Sequence, residues 1–286
     1  MNNAYRPSGY FDSKGILLVP LGTAIFSMFL AIPYALSLWY CPIVYLGLFL
    51  PLIFAKLTAL SGRWTIRQSK IRSPQLANML GAVGAIPGFY FSWVAWGVLV
   101  SNISGQGTLN IGWRSVITLE SSVTLGQLFS QALDPLGLLK QMKFIGPMGL
   151  WSVEKAVVSG IYLYGVWAFE ALIFFIVSSR SYGQWAKPPF AERLNRWYPS
   201  FKLSTPIALP GKIPTDSIFE GIKKGQIGPI IEAKEEKNPD GASYLTTTLY
   251  YLPQAFDAYI SVEGYSLKDS GGHKKTKLAK YIKIPE

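Results

Sequence analysis

The chain has 286 residues, of which 50% are apolar and only 15% are charged, against about 25% charged residues in an ordinary soluble domain. This composition argues against a disordered tail protein and against an ordinary cytosolic enzyme. One cysteine excludes an internal disulfide and a cysteine-rich zinc module. One histidine excludes a site that needs several histidines.

Four long apolar runs lie in the first 180 residues. They cover residues 15–40, 42–60, 76–100 and 156–179. A helix crosses the hydrocarbon core of a bilayer with about 20 mostly apolar residues, so we predict four membrane spans. The first run is too long for a signal peptide. The predicted fold is an all-α transmembrane four-helix bundle within a membrane domain of residues 1–180.

The connection from residue 61 to residue 74 predicts the orientation of the spans. It carries four basic residues and no acid: Arg63, Arg67, Lys70 and Arg72. Basic residues in short loops favour the cytoplasmic side. We therefore predict a multi-pass protein of the bacterial inner membrane, with both the N-terminal and the C-terminal regions inside the cell. Residues 101–155 then form an outer loop, with one or two short amphipathic helices on the outer surface or capping the bundle.

Two charged residues interrupt the predicted spans. Glu170 lies in the fourth and Lys56 in the second. A charge inside a span costs about 2.5–3.5 kcal/mol on insertion scales, so Glu170 is expected to face the bundle, to be protonated or to have a partner. Lys56 can extend to the headgroups or turn inward to meet Glu170. Two interpretations stay open for this pair, namely an ion or substrate path and a structural polar clasp.

The third run also carries Gly84 and Gly88, spaced four residues apart. Such a stripe of small residues lets a second helix approach closely.

The composition changes after residue 180, and residues 181–286 are predicted to form a small α+β cytoplasmic domain. Its proline-rich start predicts an irregular linker. A helix over residues 215–224 and a strand over 227–232 are expected next, followed by a charged turn over 234–242. A strand pair over 246–251 and 257–265 and a last strand over 277–284 complete the domain.

A lysine cluster lies near the end of this domain: Lys274, Lys275, Lys277, Lys280 and Lys283. Anionic lipid headgroups would attract such a cluster. Nucleic acid is a less favoured partner for the same charge, and a solvated strand face is the third interpretation. His273 is expected to be a solvated loop residue.

Several short segments together resemble a family of uncharacterised bacterial four-span membrane proteins. They are Arg6-Pro7-Ser8-Gly9, Ile71-Arg72-Ser73-Pro74 and Trp151-Ser152. The resemblance implies four spans over most of the chain, and it implies no activity.

Two further segments, residues 189–194 and 251–255, are similar to the paired Cys-x-x-Cys turns of a small zinc ribbon. Four apolar residues stand at the ligand positions: Ala191, Leu194, Leu252 and Ala255. Zinc requires thiolate, imidazole or carboxylate ligands. The resemblance therefore implies a degenerate zinc ribbon without metal, and a chance similarity between two turns is the alternative.

Motifs for nucleotide binding and hydrolysis are missing from the sequence, including the P-loop, the nucleophile elbow and the His-Glu-x-x-His helix. We predict no catalytic, cofactor-binding or metal-binding residue. The leading hypothesis is a non-enzymatic scaffold that presents its cytoplasmic domain to a partner. The alternative is a small transporter or channel subunit that uses Glu170 and Lys56, and a membrane enzyme acting on lipid is a weaker third. The expected partners are the lipid bilayer, another membrane protein or further copies of the chain.

Overall fold

The computed structural model describes residues 4–40, 44–104, 124–149, 151–153, 156–203, 206–208, 220–222, 243–267 and 273–284. The chain divides into two compact units. The helical unit consists of Gly9–Lys187, and the β unit consists of Met1–Ser8 and Pro188–Glu286. The N-terminal segment, which the sequence assigned to the membrane domain, thus belongs to the same unit as the C-terminal region.

Among the described residues, the helical unit is built from six helices and one short hairpin. The helices are α1 (Lys14–Tyr40), α2 (Val44–Gln68), α3 (Pro74–Ser104), α4 (Leu125–Leu133), α5 (Pro135–Met148) and α6 (Ile161–Trp185), and the hairpin consists of β1 (Trp151–Val153) and β2 (Ala156–Val158). Three of the helices are long and apolar enough to cross a membrane, over Lys14–Leu38, Pro74–Ser101 and Ile161–Trp185. The fourth predicted span corresponds to α2, which is long enough but carries Lys56, Arg63 and Arg67.

The helix boundaries differ from the prediction at two places. Helix α2 continues to Gln68 through the first half of the predicted basic loop, because Thr65 and Ile66 are fully buried and continue its packed face. Helix α6 begins at Ile161 instead of residue 156. Ala156–Val158 pairs with Trp151–Val153 as a hairpin, so the start of the fourth apolar run is a strand.

Close contacts at small residues show how the long helices run. A Cβ atom at Gly84 would lie 3.1 Å from Thr23 Oγ1, and one at Gly88 would lie 3.4 Å from Ser27 Oγ. The residue numbers of the contacting positions increase in the same direction on both helices, so α1 and α3 run parallel. The predicted close approach at the glycine stripe of α3 is thereby confirmed. Gly22 lies against Thr65, and α2 returns antiparallel to α1.

Aromatic rings fill the centre of the helical unit. Phe174 of α6 is 1% exposed, and its ring centroid lies 5.2 Å from that of Phe54 and 5.7 Å from that of Phe89. Tyr34 stacks on Phe54 with a centroid distance of 4.4 Å. Four helices therefore meet at Phe174, since these rings come from α1, α2, α3 and α6.

The helical unit is apolar on its outside and partly polar inside. On α1, one stripe of large apolar side chains is exposed: Leu17, Leu21, Ile25 and Phe29. The opposite stripe of the same helix buries Thr23 and Ser27, which are 1% and 0% exposed. A water-soluble helix shows the reverse arrangement, whereas a helix in lipid can expose apolar side chains freely.

The β unit contains an antiparallel sheet in the order β5-β7-β8-β9, with β6 paired to one end of β7. Its strands are β5 (Ser200–Lys202), β6 (Ile207–Ala208), β7 (Tyr244–Tyr250), β8 (Tyr259–Leu267) and β9 (His273–Lys283). Its core contains Ile207, Ile222, Leu245, Val262 and Leu278. At the free edge of the sheet, Ala4 bridges Ile282 and the Tyr5 N–H donates to Tyr281 O at 2.8 Å.

The strand pair and the last strand of this unit were predicted, and the structure confirms them as β7, β8 and β9. The proline-rich stretch was wrongly predicted to be irregular throughout. It contains β5 and β6 and also a two-residue pair, β3 (Phe190–Ala191) with β4 (Arg196–Trp197), because its prolines lie between the short strands. Residues 220–222 of the predicted helix are helical. The predicted strand over 227–232 and the turn over 234–242 lie outside the described residues.

Candidate functional site

Glu170 lies on the buried face of α6. Trp167 and Phe174, one turn to either side, are 8% and 1% exposed, and Leu163 on the same face is 0% exposed. Glu170 itself is partly buried. Tyr34 of α1 packs edge-on against Phe174, one turn from Glu170, with a ring centroid distance of 6.4 Å. The structure therefore places Glu170 on the face of α6 that carries the aromatic centre.

Lys56 lies apart from Glu170. Phe54 packs against Phe174 and Gly62 lies against Tyr182, so α2 and α6 run parallel with a constant offset. With this offset, the α2 position level with Glu170 lies six residues before Lys56. Lys56 is therefore displaced from Glu170 by about 9 Å along the helix axis. The Lys56 side chain is exposed, and no ion pair joins the two groups among the described residues. The described geometry therefore gives no support to a Lys56 side chain that turns inward to meet Glu170.

A cluster of three hydroxyl groups, which the sequence did not predict, joins α1, α2 and α6. Tyr182 OH hydrogen-bonds Thr23 Oγ1, and Thr23 Oγ1 donates to Val19 O at 2.9 Å. Since Thr23 gives its proton to this carbonyl, Tyr182 is the donor in the first bond. Ser61 Oγ lies 3.3 Å from Tyr182 OH and donates to Thr58 O at 2.8 Å.

Two glycines make room for the Tyr182 ring. A Cβ atom at Gly62 would lie 2.3 Å from Tyr182 Cζ, and one at Gly81 would lie 2.9 Å from Tyr182 Cβ. The ring is 0% exposed, so it occupies a slot between α2 and α3. Polar bonds between helices stabilise a bundle in lipid by about 0.6–2 kcal/mol each. The hydroxyl cluster therefore acts as a clasp between three helices.

The five clustered lysines lie on β9, and their side chains are exposed. Two of them are paired, since Lys275 Nζ lies 2.8 Å from Glu263 Oε2 and Lys283 Nζ lies 2.5 Å from Asp257 Oδ1. The hydrogen bond to Glu263 raises the pKa of the Lys275 ammonium group. The Lys280 ammonium lies 4.9 Å from the Tyr281 ring centroid. Local acids thus neutralise part of this charge, which weakens the attraction to an anionic surface.

His273 begins β9 instead of lying in a loop. Its ring packs edge-on against Tyr244, with a centroid distance of 5.1 Å.

The two segments similar to zinc-ribbon turns are both turns in the structure. The Leu194 N–H donates to Ala191 O at 3.2 Å, and the Ala255 N–H donates to Leu252 O at 2.9 Å. Arg193 Cζ of the first segment lies 5.7 Å from the ring centroid of Phe256, which follows the second segment. The similarity to a degenerate zinc ribbon stays a prediction.

Within the part of the chain that the structure describes, no three His, Cys, Asp or Glu residues come together as a metal site would require. No protein-family model matches the chain, and neither the curated proteins nor the solved structures contain a significant match. The resemblance to a four-span family thus stays a prediction.

Proposed function

We propose that the chain is an integral membrane protein with four crossings that presents its β unit to a partner, and that it is a scaffold instead of an enzyme. The observation that carries the membrane assignment is the inverted polarity of the helical unit. Leu17 and Phe29 of α1 are 67% and 70% exposed, whereas Thr23 and Ser27 are buried. Exposure of so much apolar surface to water is costly, at about 25 cal/mol per Å².

Two features support α2 as the fourth crossing. Helices α1 and α3 run parallel, so the chain between them has to return across the same layer. The outward face of α2 is also mostly apolar. It carries the exposed charges Lys56 and Arg63, but these large apolar side chains are exposed beside them: Phe49, Ile53, Leu57, Leu60 and Trp64.

The pairing of Ala4 with Ile282 supports an even number of crossings independently. Two residues in one sheet lie on the same side of a bilayer, so the chain between them crosses it an even number of times. If only the three helices with span-like hydropathy crossed the bilayer, Ala4 and Ile282 would lie on opposite sides of it. The cluster of Arg63, Arg67, Lys70 and Arg72 supports a cytoplasmic α2–α3 connection, because basic residues in short loops favour that side. An even number of crossings then gives both ends of the chain the same side.

Topology reporters test this arrangement. We expect alkaline phosphatase fused after Ser69 to be inactive and green fluorescent protein at the same position to fluoresce, because both then lie in the cytoplasm. Fusions after Gly149 should give the opposite pair of results. Activity of the phosphatase at both positions, or release of the intact chain by alkaline carbonate, would refute the four-crossing arrangement.

Phe256 supports partner binding by the β unit. Its side chain is 79% exposed, and the Arg193 guanidinium lies over its ring. Aromatic residues and arginine are enriched where protein interfaces gain most of their binding energy. A photo-reactive phenylalanine analogue at position 256 should therefore give a discrete cross-linked product in cells. The same analogue at Lys274, also exposed, is the control, and equal cross-linking at both positions would argue against this site.

Glu170 keeps the transporter alternative open, because it lies on the buried face of α6. In liposomes with an imposed pH gradient, the scaffold proposal predicts that the purified chain leaks protons no faster than protein-free vesicles. A flux that is at least tenfold higher and is lost in Glu170→Gln would favour the transporter. Glu192→Gln, the same chemical change at an exposed position of the β unit, is the matched control.

A further inference from the structure

Helices α4 and α5 follow each other with Asp134 as the only residue between them, and we call this pair the α4–α5 hairpin. Its depth can be measured against α3. The Tyr90 hydroxyl donates to Ala132 O, at the tip of the hairpin, at 2.7 Å. Gln141, further along α5, donates through Nε2 to Gly97 O at 2.9 Å and to Ser101 Oγ at 3.0 Å. The tip thus lies at the level of Tyr90, and α5 rises from there toward the end of α3.

Tyr90 lies well inside the apolar segment of α3. That segment, Pro74–Ser101, has 28 residues and is about 42 Å long at 1.5 Å per residue. A hydrocarbon core of about 30 Å leaves about 6 Å of helix outside it at each end. Tyr90 precedes Ser101 by eleven residues, about 16 Å. The tip of the hairpin is therefore about 10 Å inside the hydrocarbon.

The side chains around the tip suit that depth. Leu133 and Leu136, on either side of Asp134, are 82% and 69% exposed, and Phe129 on α4 is 55% exposed. Leu128 and Leu138, by contrast, pack inward and are 8% and 4% exposed. The hairpin thus has one apolar face toward α3 and a second apolar face with no protein over it among the described residues.

Backbone groups at the tip are hydrogen-bonded within the protein. An apolar environment requires this, because each polar group there needs an internal partner. Asp134 Oδ1 accepts from the Gly137 N–H at 2.8 Å. The Asp134 N–H donates to Gln131 O at 3.2 Å, and the Leu138 N–H donates to Asp134 O at 3.1 Å. With the Tyr90 bond to Ala132 O, these contacts satisfy several of the backbone groups freed by the break between the helices, although the Asp134 side chain itself is exposed.

Side chains of α5 pack directly on α3 at Gly97. A Cβ atom there would lie 2.8 Å from Gln141 Oε1 and 3.1 Å from Leu138 Cδ1. The ends of these side chains therefore lie against the α3 backbone, and α5 lies alongside the apolar part of α3.

We propose that α4 and α5 form a re-entrant hairpin, which enters the bilayer from the side where α3 ends and α6 begins and leaves on the same side, with lipid acyl chains covering Phe129, Leu133 and Leu136. This inference rests on the proposed membrane spans. It replaces the expected position on the outer surface with one inside the membrane.

Cysteine accessibility tests the depth. In a Cys41→Ser background, single cysteines replace Leu133, Leu136 and, at the open end of α4, Thr124. N-ethylmaleimide crosses membranes and reacts with thiols only in water, so it reaches either side. We expect Thr124→Cys to react at least tenfold faster than Leu133→Cys and Leu136→Cys in membranes, and the three to react equally after denaturation. Equal reactivity in membranes would overturn the proposal.

A second measurement identifies what covers the tip. A fluorophore on Leu133→Cys should lose most of its emission in liposomes of lipids brominated on their acyl chains. A shielded thiol whose fluorophore is not quenched would mean that a second copy of the chain covers the face, which overturns the lipid proposal. An alkaline carbonate wash of the same membranes distinguishes failure of the proposed spans from failure of the proposed re-entrant hairpin. Release of the chain refutes the spans themselves, whereas retention with a reactive Leu133→Cys refutes only the hairpin.

Discussion

Replacing Gly62 with alanine is expected to lower the free energy of unfolding of the helical unit by about 1–3 kcal/mol, the usual cost of overpacking. The added Cβ atom would lie 2.3–2.6 Å from three atoms of the Tyr182 ring. The ring has little freedom to move, because its hydroxyl bonds Thr23 and it is fully buried. Thermal unfolding in detergent, followed by tryptophan fluorescence, measures the change.

Gly165→Ala is the matched control for this substitution. Gly165 is also in a long helix, but no atom lies within 4 Å of a Cβ atom there. Alanine should be neutral or stabilise α6 by up to about 1 kcal/mol. In a Tyr182→Ala background the cost of Gly62→Ala should disappear. An equal cost in both backgrounds would show that Gly62 does not act through the Tyr182 ring.

Replacing Phe174 with alanine is expected to cost about 3–5 kcal/mol, because it empties the place where rings from four helices meet. Phe174 is 1% exposed and contacts Tyr34, Phe54 and Phe89. Phe169→Ala removes the same atoms from the outward face of α6, where the ring is 51% exposed. It should cost less than about 1 kcal/mol in the same unfolding measurement. Similar losses for both variants would mean that the aromatic cluster does not hold the helices together.

The long helices could be predicted from the sequence because apolar composition and length report directly on a membrane span. The glycine stripe of α3 was predictable for a similar reason, since the spacing of Gly84 and Gly88 puts them on one helix face. The end of α2 was not predictable from hydropathy. Its last turns are polar by composition, and they stay helical because Ile66 packs inside the unit.

A candidate site could be predicted from the sequence only where a single residue was unusual in its surroundings. Glu170 stood out as an acid in an apolar run, and the structure places it on the buried face of α6. The hydroxyl cluster brings together Thr23, Ser61 and Tyr182, which are ordinary residues in three separate helices. No spacing within one helix reveals such a meeting. The contact between Tyr90 and Ala132, on which the proposed depth of the α4–α5 hairpin depends, could not be predicted for the same reason.

The contact between Ala4 and Ile282 has a consequence for biosynthesis. Ala4 is synthesised before any of the helices, and Ile282 only after all of them. The strand edge that Ala4 joins therefore does not exist while α1 to α6 are being synthesised. The N-terminal segment stays without this partner until β9 has left the ribosome.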